Sequence, residues 1–471
     1  MSRSAADPIP LRPAPVPLAR RLARAAGAVG PELLSPLVGE KLRTCLLDFL
    51  ACAFEAGPLP WSRQAVATLR PTPGGAGVIG LAGGFAPAEA AFANGTLGHG
   101  LVREDMHAAS IGHHGVVVWP ALLALAQARP GGAPVAGARF LLAALVGYEA
   151  ACRLGRALID ADLARLHRPT GLVSPLGAAL GGAVLAGLGD EAATSALGLA
   201  ANTSSGLNAW PHWGGSEMYF HPGFAARNAV TCVELAEAGA YASEGALDGE
   251  GGWFAAYRRG AAPRELRLFP EGDAEILAVY NKPVPACNFA QTASQAALRV
   301  AREVGASRGP VRSVVIRVPA AAAAYPGCDF IGPFERALQA KMSIQFCVAA
   351  ALARGTVAES NYADLRDPEI LRLVGRTRLA VDAELTARFP AAQGAEVEVG
   401  FAAGGRLSHR LDDVVPATPG EVRLRFRAAA EAVLGTARTT AVEAFVDSLD
   451  EQADAGRLAT LCAPGKARAR P

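Results

Sequence analysis

Residues 33–57 read LLSPLVGEKLRTCLLDFLACAFEAG, and this stretch decides the fold class. Its apolar residues recur three and four positions apart, Pro36 stands early, and Gly57 follows the last turn, as in an amphipathic helix. The same pattern, mostly Ala-rich and separated by Gly and Pro, predicts further helices over Ala86–Leu101, Val118–Gln127, Ala138–Ala157, Pro175–Leu188, Glu191–Ser205 and Pro222–Gly239. We expect the chain to be essentially α-helical up to about residue 260.

The pattern changes in the last third of the chain. Val311–Pro319 and Ala395–Phe401 are β-branched and partly alternating, and Gly404–Gly405 follows the second run, so we expect strands with a hairpin. Helical periods over Phe289–Val304 and Arg336–Ala353 lie between them. The predicted fold class is mainly α, a large all-helical domain with a smaller inserted α+β lid. The predicted boundaries are a disordered segment 1–17, helical domain 18–274, lid domain 275–412, helical domain 413–463 and a disordered tail 464–471.

Composition limits the function classes. The 471 residues are 51% hydrophobic but only 6% aromatic, which favours closely packed Ala, Leu and Val helices. With 45 basic and 43 acidic residues mixed along the chain, there is no basic stripe interleaved with aromatic residues, so we expect no nucleic-acid partner. The eight cysteines form no Cys-x-x-Cys pair and are interpreted as reduced thiols of a cytoplasmic protein.

Two segments bear on membranes and export. Met1–Arg21 is rich in Pro and Arg and has no apolar run of the signal-peptide type. Pro169–Gly189 is uncharged and long enough to cross a bilayer, but it carries six glycines and two prolines. We expect a buried helix there and no membrane association.

The densest cluster of ionisable side chains lies between the end of the predicted helix Ala86–Leu101 and the start of the predicted helix Val118–Gln127. Four of the eight histidines fall within sixteen residues, beside a short charged run: His99, Arg103, Glu104, Asp105, His107, His113 and His114. Glycines at 112 and 115 allow a loop whose backbone approaches a ligand, so this segment is interpreted as an acid–base loop. Ordinary surface histidines are the alternative. A metal site of His99, His107 and Asp105 is disfavoured because no His-x-x-x-His spacing is present.

Other candidates are scattered along the chain. In His167-Arg-Pro-Thr170 the predicted helix N-terminus would favour an anion such as a substrate carboxylate. Asn281–Cys287 lies at the proposed domain junction, where pockets form, and presents Lys282 and Cys287 on a proline-stiffened backbone. Solvent-exposed side chains are the alternative for each. Weaker candidates are His221 and the segment with Trp210, His212 and Trp213.

Eight motifs in order resemble the MmgE/PrpD family of 2-methylcitrate dehydratases and cis-aconitate decarboxylases, from about residue 30 to about 462. They are LLDFLACAFEAG at 46–57, AAFANGTLGHG at 90–100, HHGVVVWPALLALA at 113–126, GYEAACRLG at 147–155, HRPTGLVSPLGAALGGAVLAGLG at 167–189, HPGFAARNAV at 221–230, KPVPACNFAQTA at 282–293 and AKMSIQFCVAAAL at 340–352. The resemblance implies a helical domain with an α+β lid, a homodimer, a polar site between the domains, and no metal or organic cofactor. It implies small di- or tricarboxylate substrates, with proton transfer next to a carboxylate.

Carried over by resemblance, the two family histidines fall on His113 and His167 and the family lysine on Lys282. Three positions depart from the decarboxylase pattern: its aspartate is matched by Val102 or Arg103, its second lysine by Met218, and a further histidine by Cys287. Loss of the cation at Met218 suggests fewer substrate carboxylates, or an amide, amine or ester in place of one.

The sequence therefore predicts a cofactor-independent lyase in which His113 and His167 are the acid–base pair and Lys282 holds a carboxylate. The expected substrate-binding or orienting residues are Glu104, Asp105, His107, His212, Met218, His221 and Cys287. An isomerase or epimerase, which returns the proton to the other face of the carbon, is one alternative. A binding paralogue that kept the fold is the other.

Overall fold

The computed structural model describes residues 15–258, 260–304 and 309–465. The structure is 59% helical and 9% strand, with 21 α-helices among the described residues, which confirms the mainly α class. The predicted disordered segment 1–17 and tail 464–471 fall almost entirely outside the described residues.

The helices before the junction are α1 Leu18–Gly27, α2 Pro36–Ala56, α3 Pro60–Ala67, α4 Pro87–His99, α5 Gly115–Gln127, α6 Gly137–Leu158, α7 Ala161–Leu166, α8 Pro169–Ala186, α9 Asp190–Ala201, α10 Trp210–Trp213, α11 Glu217–Glu237 and α12 Trp253–Arg258. Those after it are α13 Gln291–Glu303, α14 Ala320–Ala324, α15 Ala337–Met342, α16 Ile344–Arg354, α17 Pro368–Val374, α18 Ala383–Arg388, α19 Pro419–Leu434, α20 Thr436–Asp447 and α21 Arg457–Leu461. The strands are β1 Pro71–Ala76, β2 Met106–His107, β3 Val279–Tyr280, β4 Val311–Val318, β5 Thr377–Val381, β6 Ala395–Phe401 and β7 Arg406–Leu411.

Two departures from the predicted helix extents have a local physical cause. Helix α8 begins six residues earlier than predicted, because Pro169 occupies the first helical turn, where its missing N–H costs nothing. The helix predicted over Arg336–Ala353 is two helices, since Ser343 is extended and its hydroxyl accepts from the Phe346 N–H to cap α16.

Two hydrophobic clusters organise the molecule. The first joins the helices up to Val279 with α19 to α21, and the second is built mainly from residues 284–411. Five side chains from the helical body belong to the second cluster, and they mark where the two meet: Trp61, Val102, Trp210, Met218 and Tyr219. The domain boundaries themselves stay a prediction.

The second cluster covers a four-stranded sheet of order β5-β4-β6-β7. Strands β4 and β5 are parallel, and the predicted hairpin is present as the antiparallel pair β6 and β7. A short antiparallel pair, β2 with β3, joins Met106 to Tyr280. This pair fastens the histidine loop to the junction segment that carries Lys282 and Cys287.

Helix α8 is the one helix among the described residues that is long and apolar enough to cross a membrane. It is 89% buried inside the protein. It packs closely on α6, where the Gly177 backbone approaches Gly147 so tightly that a Cβ at 177 would lie 2.3 Å from the Gly147 oxygen. The close packing of α8 sets the position of the segment just before it, which enters the site described below.

Candidate active site

A small, partly open space lies where the two hydrophobic clusters meet. The helical body lines it with Val102, Met106, His113, Arg168, Trp210 and Met218, and the second unit lines it with Cys287, Asn288, Phe289, Tyr325 and Met342. Its volume is about 30 Å³, enough for one or two water molecules but not for a larger molecule. A larger ligand would need the side chains that line this space to shift.

His113 stands at the end of the loop that precedes α5. Its Nδ1 lies 3.0 Å from the Asp105 backbone oxygen and 2.9 Å from Glu104 Oε1. Because a carbonyl oxygen only accepts, Nδ1 carries the proton and Nε2 keeps a free lone pair. Burial lowers the pKa of His113 to about 3. His113 is therefore a neutral imidazole with the electronic form of a general base.

Glu104 lies between two imidazoles, since its Oε1 accepts from both His99 and His113. Burial alone would raise the pKa of Glu104, but His99 and His113 lower it well below its ordinary value. Glu104 is therefore a buried anion. It would stabilise the positive charge that develops on His113 when that imidazole accepts a proton.

Arg168 brings a guanidinium to the site. It is only 5% exposed, its guanidinium lies 5.4 Å from the centre of the Trp210 ring, and Nη2 donates to His99 Nε2 at 3.2 Å. Its Nε is buried without a hydrogen-bond partner, and no carboxylate of the described residues forms an ion pair with it. A buried guanidinium without an anion is costly, so this arrangement favours a negatively charged ligand.

Lys282 lies directly behind the cavity. It is fully buried, and its Nζ donates to the backbone oxygens of Val102 and Ala286. Burial lowers the pKa of Lys282 to about 8 against the opposing effect of Glu104. Lys282 thus adds positive charge and joins the two units, but its own hydrogen bonds go to the backbone.

Met218 and Cys287, the two positions that depart from the decarboxylase pattern, both line the cavity. The Met218 sulfur lies 2.9 Å from His99 Nε2. The Cys287 sulfur lies 3.6 Å from that of Cys328, which is fully buried behind it. Both substitutions therefore change the surface that a ligand would contact.

His167 is not brought to this cavity, contrary to the prediction. His167 and Arg168 are both in extended backbone, where successive side chains point to opposite sides. Arg168 points to His99, while the His167 ring lies 5.4 Å from the ring of Tyr257, on another face of the helical body. The residue of this pair that enters the site is Arg168.

The remaining predicted residues differ in burial and in their relation to the cavity. Asp105 contributes its backbone oxygen to His113, while its carboxylate accepts from Tyr148 and from the Gly115 N–H. His221 is half-buried, and burial together with the charges of Arg168 and His99 lowers its pKa to about 3. His212 is exposed and does not line the cavity.

His107 belongs to a neighbouring buried network, with Nδ1 on Ser110 and Nε2 on Glu275. Within the described part of the chain, a group with the spacing of a metal site is His107, His114 and Cys152, whose ligand atoms lie within 4.8 Å of one another. The Ser110 hydroxyl lies 2.8 Å from a nitrogen of each of the two histidines, so their hydrogen-bonding needs are already met. The metal site considered from the sequence combined His99 with His107 and Asp105. In the structure His99 contacts Glu104, Met218 and Arg168 instead.

Sequence reasoning missed two features of the candidate site, which are the position of Arg168 at the cavity and the hydrogen bonds of His99. A signal for Arg168 was present, because a residue before proline is held extended and its neighbour then faces the other way. Nothing in the local sequence indicated which of the two would face the interior.

The site thus combines, in a mainly helical protein, a neutral imidazole, a buried carboxylate and a guanidinium without an ion-pair partner among the described residues, which are groups that can move a proton and hold an anion. The MmgE/PrpD N-terminal domain model matches residues 20–266 and the MmgE/PrpD C-terminal domain model matches residues 284–451. The chain belongs to the MmgE/PrpD family, and this membership supports a lyase-type enzyme at the level of the family.

Three curated relatives cover most of the chain. A cis-aconitate decarboxylase of Aspergillus terreus is 26% identical over 88% of this chain and 89% of that protein. The cis-aconitate decarboxylase-like protein oryM of Aspergillus oryzae is 28% identical over 90% and 92%. The human cis-aconitate decarboxylase is 26% identical over 80% and 79%.

Proposed function

We propose that this protein is a cofactor-independent lyase that acts on a small di- or tricarboxylate by proton transfer at a carbon next to a carboxylate. The observation that carries the proposal is the position of Arg168. Its buried guanidinium forms no ion pair among the described residues, and it lines the same cavity as the neutral base His113. Arg168 would hold the carboxylate while His113 Nε2 removes the adjacent proton.

The charge of the site supports an anionic ligand. Arg168 and Lys282 contribute two positive charges near the cavity and Glu104 contributes one negative charge, which leaves a positive excess. A carboxylate held by Arg168 would compensate that excess. The carbanion-like charge that forms beside the carboxylate would be stabilised by the same cations.

The side chains that line the cavity indicate how many carboxylates the substrate carries. Met106, Met218 and Met342 line it with thioether side chains, which offer no strong hydrogen bond to an anion. We therefore favour a substrate with fewer carboxylates than cis-aconitate, or with an uncharged group in place of one.

The test compares neighbouring residues with opposite expectations. Proton NMR in deuterated buffer follows cis-aconitate, citrate and a panel of dicarboxylates with the wild type and three variants. His113→Ala should lower turnover by about 10²–10⁴-fold. Arg168→Gln should lower kcat/KM by about 10–100-fold, since a hydrogen bond to a charged group contributes roughly 1.5–3 kcal/mol.

The matched control is His167→Ala, which removes an imidazole one position from Arg168 on a different face of the protein. Its turnover should stay within about threefold of wild type, because general acid–base groups contribute about 10²-fold or more. Unchanged turnover in His113→Ala, or loss in His167→Ala with none in Arg168→Gln, would contradict the proposal. Deuterium uptake into otherwise unchanged substrate would identify an epimerase instead.

A further inference from the structure

We propose that the Cys287 thiol, which the second unit supplies, is the proton donor of the site that contains the base His113 of the helical body. This inference rests on the proposed function. The geometry behind it is that Cys287 lines the same small cavity as His113 and Arg168, with Cys328 directly behind it.

A donor is needed because the other lining groups are not suited to the task. His113 has no proton on Nε2 to give, and Arg168 does not release a proton near neutral pH. The Nζ of Lys282 is directed to two backbone oxygens and does not line the cavity. Tyr325 lines the cavity, and its hydroxyl, which accepts from Asn208, is a weak acid because burial raises its pKa to about 12.

Cys287 has the environment of an acid that works near neutral pH. Its pKa is lowered to about 7, first by the hydrogen bond from Cys328 and, against the effect of burial, by the charges of Lys282 and Arg168. Burial and the neighbouring Cys287 raise the pKa of Cys328, so Cys328 keeps its proton and donates it. Cys328 is therefore a positioning residue that stabilises the Cys287 thiolate left after proton transfer.

The protons balance in either lyase reaction. In a dehydration, His113 takes the proton of the C–H bond, the C–O bond breaks as C=C forms, and the Cys287 proton converts the departing hydroxide to water. The imidazolium then returns its proton to the thiolate through solvent. In a decarboxylation His113 removes no proton from carbon: the C–C bond electrons stay on the carbon as CO2 leaves, that carbon takes the Cys287 proton, and the thiolate recovers a proton from solvent.

The first test reads the thiol without needing turnover. The ultraviolet absorbance of thiolate is titrated in the intact protein, and we expect one thiol with a midpoint near pH 7 that is lost in Cys287→Ser. Cys328→Ala should raise the midpoint, while Cys328→Ser keeps a donor and should preserve it. Cys347→Ser is the matched control in the same hydrophobic cluster and should leave the titration unchanged.

The charged and titratable groups that face Cys287 are Cys328, Lys282, Arg168, Cys347, Tyr280 and Tyr325. Of these, Lys282 and Arg168 lower the midpoint by charge, so the Arg168→Gln variant should raise it. A thiol that titrates near pH 7 in Cys287→Ser, or none in the wild type, would overturn the proposal.

The second test is turnover with an acid that the wild type converts. Cys287→Ser should lower kcat by about 10²–10⁴-fold with little change in KM, since the hydroxyl is too weak an acid. A smaller loss in Tyr325→Phe than in Cys287→Ser assigns the donor to Cys287, and the reverse order assigns it to Tyr325 and refutes the inference. If the wild type converts no acid, the proposed lyase function fails, and the thiol titration alone then decides the state of Cys287.

Discussion

At the scale of single residues, the site depends on which nitrogen of an imidazole carries the proton. The Asp105 carbonyl and the Glu104 carboxylate both accept from His113 Nδ1, so Nε2 is left as the base. On the far side, Arg168 donates to His99 Nε2, so His99 in turn gives its Nδ1 proton to Glu104. Glu104 therefore orients both imidazoles, as an anionic acceptor orients a catalytic histidine in other enzymes.

Glu104→Gln tests this role, because the amide oxygen still accepts a hydrogen bond but carries no charge. The imidazolium formed on His113 loses its counterion, so kcat should fall by about 10–100-fold, the worth of a charge-assisted hydrogen bond of roughly 1.5–3 kcal/mol. KM should change little, because neutral His113 needs no counterion before the proton moves. Steady-state kinetics measure the effect, with the exposed Glu303→Gln variant as the control. A raised KM with unchanged kcat would contradict this role of Glu104.

At the scale of elements, the entry into α8 decides what the site contains. Pro169 keeps Arg168 extended, and the helix that follows packs against α6 through glycines at 147, 177 and 181. The position of α8 on α6 thus determines where Arg168 is presented. Helical periodicity predicted both helices, yet it contains no information on how closely they approach.

Gly177→Ala should disturb this contact, since the added Cβ would lie 2.3 Å from the Gly147 oxygen and 2.7 Å from the Ala151 Cβ. Overpacking of this kind costs about 1–3 kcal/mol. Urea unfolding should show the loss, with a parallel fall in kcat/KM as Arg168 shifts. Gly27→Ala, which meets nothing within 4 Å in the last turn of α1, is the control and should be neutral or slightly stabilising. Equal stability of the two variants would refute the packing argument.

At the scale of the whole molecule, the junction concentrates buried charge, and the stability of the protein should depend on pH accordingly. Burial raises the pKa of Asp105 to about 7, although Tyr148 donates to its carboxylate. In the unfolded chain an aspartate titrates near 3.9. The folded state therefore holds the proton more tightly, and its stability falls as pH rises from about 4 through about 7.

Asp105→Asn removes this titration. Relative to the wild type, the variant should gain about 2–3 kcal/mol in free energy of unfolding between about pH 5 and about pH 8, since each unit in this window contributes roughly 1.4 kcal/mol. Urea unfolding at the two pH values measures the difference. The exposed Asp273→Asn serves as control and should show no such change. A difference that is independent of pH would mean that Asp105 is ionised throughout.

Local pattern was sufficient for most of the fold. A period of three to four residues with Gly and Pro at the ends predicted α2, α6 and α11 to within a few residues, and β-branched alternation predicted β4 and β6. These signals are local, because helix and strand periods are properties of neighbouring residues. The break at Ser343 was missed, since it depends on a single hydroxyl that finds the Phe346 N–H.

By itself the sequence determined the helical class, the family, and the loop that supplies His113. Only the tertiary structure decided that Arg168 faces the cavity in place of His167. It also decided that Lys282 donates to the backbone oxygens of Val102 and Ala286. The physical reason is distance along the chain: Lys282 meets Val102 across 180 residues and Arg168 meets His99 across 69. The burial and the protonation state of side chains at such contacts depend on how distant segments pack, and local periodicity contains no information on that packing.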